Sequence, residues 1–154
     1  MFERFTEHAK RVLELEGIEA QRMHHDYLGT EHLLLALIHE PEGHGHRALA
    51  ELGVSLKQAR TSLASLVQEG PHKELPKGFH LTPQAKQVMA MALEEARVLK
   101  SGRIGTEHLL LALLREPDGV AVHVLEKLGL TAAQIRTEIE LMLEEERKNK
   151  VAEE

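Results

Sequence analysis

The stretch GTEHLLLAL occupies residues 29–37 and returns letter for letter at residues 105–113. Shifting the 154-residue chain by 76 positions aligns 5–67 with 81–143 without a gap, and 24 of the 63 aligned pairs are identical. Similarity of a chain to itself at a fixed spacing indicates a duplicated structural unit. The sequence therefore predicts two equivalent halves.

The domain boundaries follow from the repeat and from composition. We predict a first repeat at 1–67, a linker rich in Gly and Pro at 68–80, and a second repeat at 81–145. The last helix is predicted to extend through LMLEEERKNK, residues 141–150. Its highly charged end, 146–154, is expected to fray into solvent and to begin a further linker. Because one repeat alone would bury little apolar surface, we expect both halves to form one domain.

Each repeat carries the signals of four helices. Thr6 and Thr82 are predicted N-caps of the first helix, and Thr30 and Thr106 are predicted N-caps of the second. A proline follows each second helix, and a Leu-Gly pair ends each third helix. Only 3% of residues are aromatic, so aliphatic side chains must fill the core. We predict an all-α fold of eight helices, arranged as two four-helix repeats about a pseudo-twofold axis.

Composition disfavours several function classes. The absence of cysteine excludes disulfides and thiolate metal sites, and it fits a reducing cytoplasm. A net charge of −6 disfavours a nucleic-acid surface, and no apolar run is long enough to span a membrane. There is no Gly-rich phosphate loop and no Gly-x-Ser-x-Gly segment. We therefore predict a non-catalytic cytoplasmic protein with no nucleic-acid or membrane partner.

Eleven histidines raise the alternative of a metal-dependent enzyme. The densest groups are His24-His25-Asp26 and His44 with His46, but the second repeat lacks histidine at the equivalent positions. Because the duplicated frame does not need these side chains, we predict no metal site and no cofactor in this chain.

The Glu-His pair in each repeat has two interpretations. Glu31 and Glu107 fall in the first turn of a helix, where a carboxylate interacts favourably with the helix dipole. His32 and His108 fit core histidines that hydrogen-bond a backbone carbonyl. Alternatively, a carboxylate beside free backbone N–H groups can receive a guanidinium together with an anion attached to it.

Three phenylalanines are candidates for an exposed apolar surface. Phe2 and Phe5 precede the first repeat, and Phe79, followed by His80, precedes the second. One interpretation is a local hydrophobic cover at each helix start. The other is a shared apolar patch that holds a peptide or a partner protein.

The segments MFERFTEHAKRVL, GTEHLLLALIHEPEG, FHLTPQAKQVM and IGTEHLLLALLREPDG resemble the N-terminal domain of Clp/Hsp100 AAA+ unfoldases of the ClpC type, over about residues 1–145. The resemblance implies a monomeric domain that binds adaptor and substrate proteins. It passes them to a hexameric ATPase ring, which unfolds them for the ClpP peptidase. ATP and Mg would belong to the ATPase modules only. An alternative is a stand-alone protein that regulates a Clp machine.

The resemblance also implies residue roles. Glu31 and Glu107 would each pair with the guanidinium of a phosphoarginine, one pocket per repeat. Phe2, Phe5, Phe79 and His80 would form the hydrophobic partner surface. The residues implied near the phosphate or at the helix starts are Arg4, Thr6, Thr82, Thr30 and Thr106. The chain departs from the resemblance at GHGH, residues 43–46, where relatives carry small and apolar residues.

Overall fold

A computed structural model describes residues 4–71 and 80–153 of the protein. Within these ranges the chain forms eight helices: α1 Glu7–Arg22, α2 Thr30–His39, α3 His44–Glu51, α4 Leu56–Ala64, α5 Pro83–Val98, α6 Thr106–Leu114, α7 Val120–Lys127 and α8 Ala132–Glu153. Two short strands, β1 Tyr27–Leu28 and β2 His80–Leu81, pair in parallel. The predicted all-α class and the eight helices are confirmed.

The two repeats have the same backbone features at equivalent positions. His24 and its counterpart Lys100 both have positive φ, of 57° and 56°. Gly53 and Gly129, which follow the third helix of each repeat, both have φ 87°, a conformation that glycine adopts without steric cost. Duplication in sequence is therefore duplication in structure.

The first helix of each repeat begins as the sequence predicts. The hydroxyl oxygens of Thr6 and Thr82 each accept a hydrogen bond from the backbone N–H three residues later, at 3.1 Å. Pro83 occupies the first helical position of α5, where no N–H is needed.

The core is built around α2 and α6. Both helices are buried on every side, because Leu33–Ile38 and Leu109–Leu113 are each at most 3% exposed. They pack against each other, and each also packs against the third helix of the other repeat, α2 against α7 and α6 against α3. The halves are thus interleaved, as expected for one shared core.

One expectation about helix starts needs correction. Helices α2 and α6 begin at Thr30 and Thr106, so Gly29 and Gly105 hold the N-cap positions instead. Helix α8 continues to Glu153, so the prediction that the last helix extends through residue 150 is confirmed. Among the described helices, none is both long and apolar enough to cross a membrane.

Candidate binding sites at the two Gly-Thr-Glu-His segments

The glycines of the two segments make room for the glutamates. A Cβ atom on Gly29 would lie 2.0 Å from Oε1 of Glu31, and one on Gly105 would lie 2.0 Å from Oε1 of Glu107. Each carboxylate therefore folds back over the start of its helix. The two glutamates are only 4% and 7% exposed. A cation that pairs with either one enters a largely dehydrated site, where a charged hydrogen bond is stronger than in water.

The threonines connect the two repeats. The Thr106 hydroxyl accepts a hydrogen bond from the Gly45 N–H in the first turn of α3, at 2.9 Å. The Thr30 hydroxyl accepts one from the Ala121 N–H in the first turn of α7, at 3.4 Å. Each threonine thus caps a helix of the other repeat, rather than its own helix as the sequence suggested.

The histidines are core residues. The Gly29 N–H donates to Nδ1 of His32 at 2.9 Å, and the Gly105 N–H donates to Nδ1 of His108 at 2.8 Å. Burial, with the charge of His25 acting in the same direction, lowers the pKa of His32 to about 3, and burial also lowers the pKa of His108. The core interpretation is confirmed, although the rings accept from a backbone N–H and were expected to contact a carbonyl.

The first helix of each repeat begins beside the loop that leads to the glutamate of the other repeat. The Thr82 N–H donates to the Leu28 carbonyl at 3.0 Å, just before Gly29. The Thr6 N–H donates to the Ile104 carbonyl at 2.9 Å, and the Ile104 N–H donates to the Arg4 carbonyl at 2.7 Å. The backbone therefore brings Thr82 to the loop that leads to Glu31. It brings Arg4 and Thr6 to the loop that leads to Glu107.

The two glutamates differ in electrostatics. Burial raises the pKa of Glu31, and its own backbone N–H, His25 and Tyr27 offset this only in part. Burial acts on the pKa of Glu107 in the same direction, but the hydrogen bond and positive charge of His44, together with the charge of His108 and a backbone N–H, outweigh it. The pKa of Glu107 therefore lies below its ordinary value. The Nδ1 atom of His44 is 3.0 Å from Oε2 of Glu107.

The contact between His44 and Glu107 was not predicted from the sequence, in which His44 was a candidate metal ligand and part of the GHGH departure. His44 is the first residue of α3, which packs against α6, and the equivalent residue of α7 is Val120. The GHGH departure marked this stretch as unusual. It could be interpreted as a contact with Glu107 only once the structure showed that the third helix of one repeat lies against the second helix of the other.

An apolar groove lies between α1 and α5. It encloses about 510 Å³, and its lining includes equivalent pairs from the two repeats: Phe5 with Leu81, Leu13 with Met89, and Leu28 with Ile104. Phe5 is 5% exposed, so the expectation that it is an exposed apolar residue is wrong; it contributes to the lining of the groove instead. His80 is exposed and pairs with Tyr27 in the short sheet. Phe2 and Phe79 lie outside the described residues.

Comparison with known proteins identifies the family. The model of the Clp repeat (R) N-terminal domain matches residues 4–101 and 80–154. The chain belongs to the Clp repeat N-terminal domain family. Among curated relatives, it is 46% identical over 142 residues to the ATP-dependent Clp protease ATP-binding subunit ClpA homolog of Guillardia theta, and 45% identical over 148 residues to the chloroplastic chaperone protein ClpC1 of Arabidopsis thaliana. These alignments cover 90% and 94% of this chain.

The Clp repeat domain spans only 17% and 16% of the length of those two relatives. Its structure is similar to the N-terminal domain of the chaperone ClpD from Arabidopsis thaliana, with a TM-score of 0.78, 28% identity, and coverage of 94% of this chain and 97% of the other. The N-terminal domain of Hsp104 from Candida albicans has the same fold, with a TM-score of 0.73, 20% identity and 89% coverage of both chains.

One group in the described part of this Clp repeat domain has metal-ligating atoms close together: His8, Glu40 and Glu42. The Arg11 guanidinium lies 3.5 Å from Glu40 and 3.9 Å from Glu42, so a cationic side chain already faces both carboxylates. The groups that the sequence singled out are engaged elsewhere. His25 contacts the Gln68 carbonyl at 2.8 Å, and His44 contacts Glu107.

Proposed function

We propose that this Clp repeat domain receives adaptor and substrate proteins for a ClpC-type unfoldase and performs no catalysis itself. In this proposal a hexameric ATPase ring takes up the bound protein and delivers it unfolded to the ClpP peptidase. ATP and Mg belong to that ring, and the isolated domain is a monomer without cofactor. Family membership and the relatives of the ClpC and ClpA type support the proposal.

We further propose that the two Gly-Thr-Glu-His segments bind phosphoarginine. One observation carries this: each repeat places a buried carboxylate in the first turn of a helix, and the backbone that leads into that helix is hydrogen-bonded to the start of the other repeat's first helix. The carboxylate complements the guanidinium. The phosphate complements free N–H groups of the first turn, together with the hydroxyls of Thr6 and Thr82 and, in the second site, Arg4.

The groove between α1 and α5 is a second candidate surface, for apolar segments of partner proteins. Its lining is predominantly aliphatic, and Leu93 at its edge is 43% exposed. The groove favours docking of apolar segments, as an adaptor would supply, because a phosphate buried against aliphatic side chains would lose its hydration without compensation.

A calorimetric titration tests the phosphoarginine proposal. A peptide that carries phosphoarginine is expected to bind with micromolar affinity, whereas the plain and phosphoserine forms of the same peptide do not bind. The double variant Glu31→Ala, Glu107→Ala is expected to lose the binding and keep its helical circular dichroism spectrum. Equal binding of all three peptides, or unchanged binding by the variant, would contradict the proposal.

A further inference from the structure

The residue that faces the glutamate differs between the two sites. Glu107 faces His44 at the start of α3, whereas the equivalent residue in the first site is Val120 at the start of α7. Valine has no polar atom and cannot pair with a carboxylate. The hydroxyl of Tyr27 contacts Glu31 at a long 3.4 Å, and it is neutral.

His44 is held in place from both sides. Its Nδ1 atom is 3.0 Å from Glu107, and its Nε2 atom is 2.9 Å from Oε2 of Glu146 on α8. Glu146 is in turn held by Arg47 of α3 at 2.7 Å. A ligand that takes the place of His44 on Glu107 must therefore break a charged hydrogen bond of a side chain that a second carboxylate also holds.

The charges around His44 keep it protonated. The groups that face it are Glu107 and His108 from α6, Glu146 from α8 and Arg47 from α3. The hydrogen bond to Glu107, opposed by burial and reinforced by the charges of both glutamates, raises the pKa of His44 to about 9. At neutral pH the second site therefore already contains a planar cation with an N–H directed at the carboxylate.

We propose that His44 is a built-in occupant of the second glutamate site, so that phosphoarginine binds first at Glu31 and reaches Glu107 only by displacing His44. This inference rests on the proposed function, because it assigns unequal affinities to its two sites. At the second site the ligand must replace an existing charged hydrogen bond. We therefore expect the dissociation constant at Glu107 to be about 10- to 100-fold higher than that at Glu31 at pH 7.

The test exchanges the residues of the two repeats. Wild type is expected to show one tight site in calorimetry at pH 7, and His44→Val, which installs the residue of the first repeat, is expected to show two. Adding Val120→His to His44→Val is expected to move the occupant and leave one tight site, at Glu107. Thermal unfolding and circular dichroism verify that each variant is folded.

The pH dependence provides a signature that altered folding would not reproduce. Above about pH 9 His44 loses its charge, so the gap between the two sites of wild type narrows, whereas His44→Val shows no such change. The stability of the fold is expected to depend on pH in the same direction as the difference in affinity. Because the pKa is raised from 6.5 to about 9, the His44 contact stabilises the fold fully below pH 6.5 and is lost as the pH rises through 9.

The outcomes separate the two proposals. Two equally tight sites in wild type, or a single tight site in His44→Val, overturns the role of His44 and leaves the proposed function in place. Absence of phosphoarginine binding in both proteins overturns the proposed function and this inference together. One tight site in wild type and two in His44→Val establishes both.

Discussion

At the residue scale, each of the first four residues of the doubled segment has a distinct structural or electrostatic role. Gly29 leaves space for a carboxylate, Thr30 caps a helix of the other repeat, and His32 accepts the Gly29 N–H. Glu31 differs from these three, since its pKa is raised and no cationic group is paired with it in the described residues. A buried carboxylate in that condition is a ready partner for a cation, and this makes Glu31 the centre of the proposed function.

Gly29→Ala separates binding from stability. The backbone at Gly29, with φ −104° and ψ 178°, suits alanine. The Glu31 carboxylate must move, and the Tyr27 ring, whose Cε2 would lie 3.3 Å from the new Cβ, must shift slightly. We expect the unfolding free energy to change by less than about 1 kcal/mol, while the affinity for a phosphoarginine peptide falls at least about tenfold because the carboxylate is displaced.

Chemical denaturation and calorimetry measure the two effects of Gly29→Ala. Gly102→Ala is the matched control, because a Cβ at Gly102 meets no atom within 4 Å and should leave both quantities unchanged. Unaltered phosphoarginine affinity in Gly29→Ala would show that the position of the Glu31 carboxylate does not matter for binding.

At the element scale, helix caps bind the repeats together. The Thr106 hydroxyl satisfies a backbone N–H of α3 at 2.9 Å, whereas the equivalent contact from Thr30 to α7 is longer, at 3.4 Å. Loss of a cap leaves a buried N–H without a partner. The stability of the third helices therefore depends on side chains of the opposite half.

Thr106→Val tests this dependence, since it removes the hydroxyl and keeps the shape of the side chain. We expect a loss of about 1 kcal/mol in unfolding free energy, measured by urea denaturation, and a smaller loss for Thr30→Val. Thr137→Val on the exposed face of α8 is the control and should have little effect. An equal loss at Thr106 and Thr137 would mean that the cap is not what stabilises α3.

The helix caps whose partners lie close along the chain could be predicted from the sequence. Thr6 and Thr82 hydrogen-bond within their own helix, so sequence identified them correctly as caps. Thr30, Thr106 and His44 have partners in the opposite repeat, and no pattern along the chain reports such a partner. The glutamates were predicted as candidate sites. The lowered pKa of Glu107 depends on His44, so the difference between the two sites required the structure.

At the scale of the whole molecule, the two repeats form one structural unit. Helices α2 and α6 are buried on every side only because each is covered by helices of both halves. Equivalent ion pairs support each half: Arg60 contacts the buried Glu19 at 2.6 Å, and Arg136 contacts the buried Glu95 at 3.0 Å. Separation of the halves would expose most of the central leucines to water.

Residues 1–71 and 72–154, expressed as separate chains, are therefore expected to lack stable structure alone and to regain helicity when mixed. Circular dichroism and size-exclusion chromatography would detect the change. Cooperative thermal unfolding of either fragment as a monomer would show that a single repeat is an independent domain, contrary to the shared core.

The most direct test of the central claim is a two-dimensional amide NMR titration with phosphoarginine at pH 7. We predict that the amides of Thr30, Glu31 and His32 shift at low ligand concentration, and that those of Thr106, Glu107 and His108 shift only at concentrations about 10- to 100-fold higher. If phosphoarginine changes amide signals elsewhere in the protein but none in either Gly-Thr-Glu-His segment, the assignment of these segments as binding sites would be contradicted.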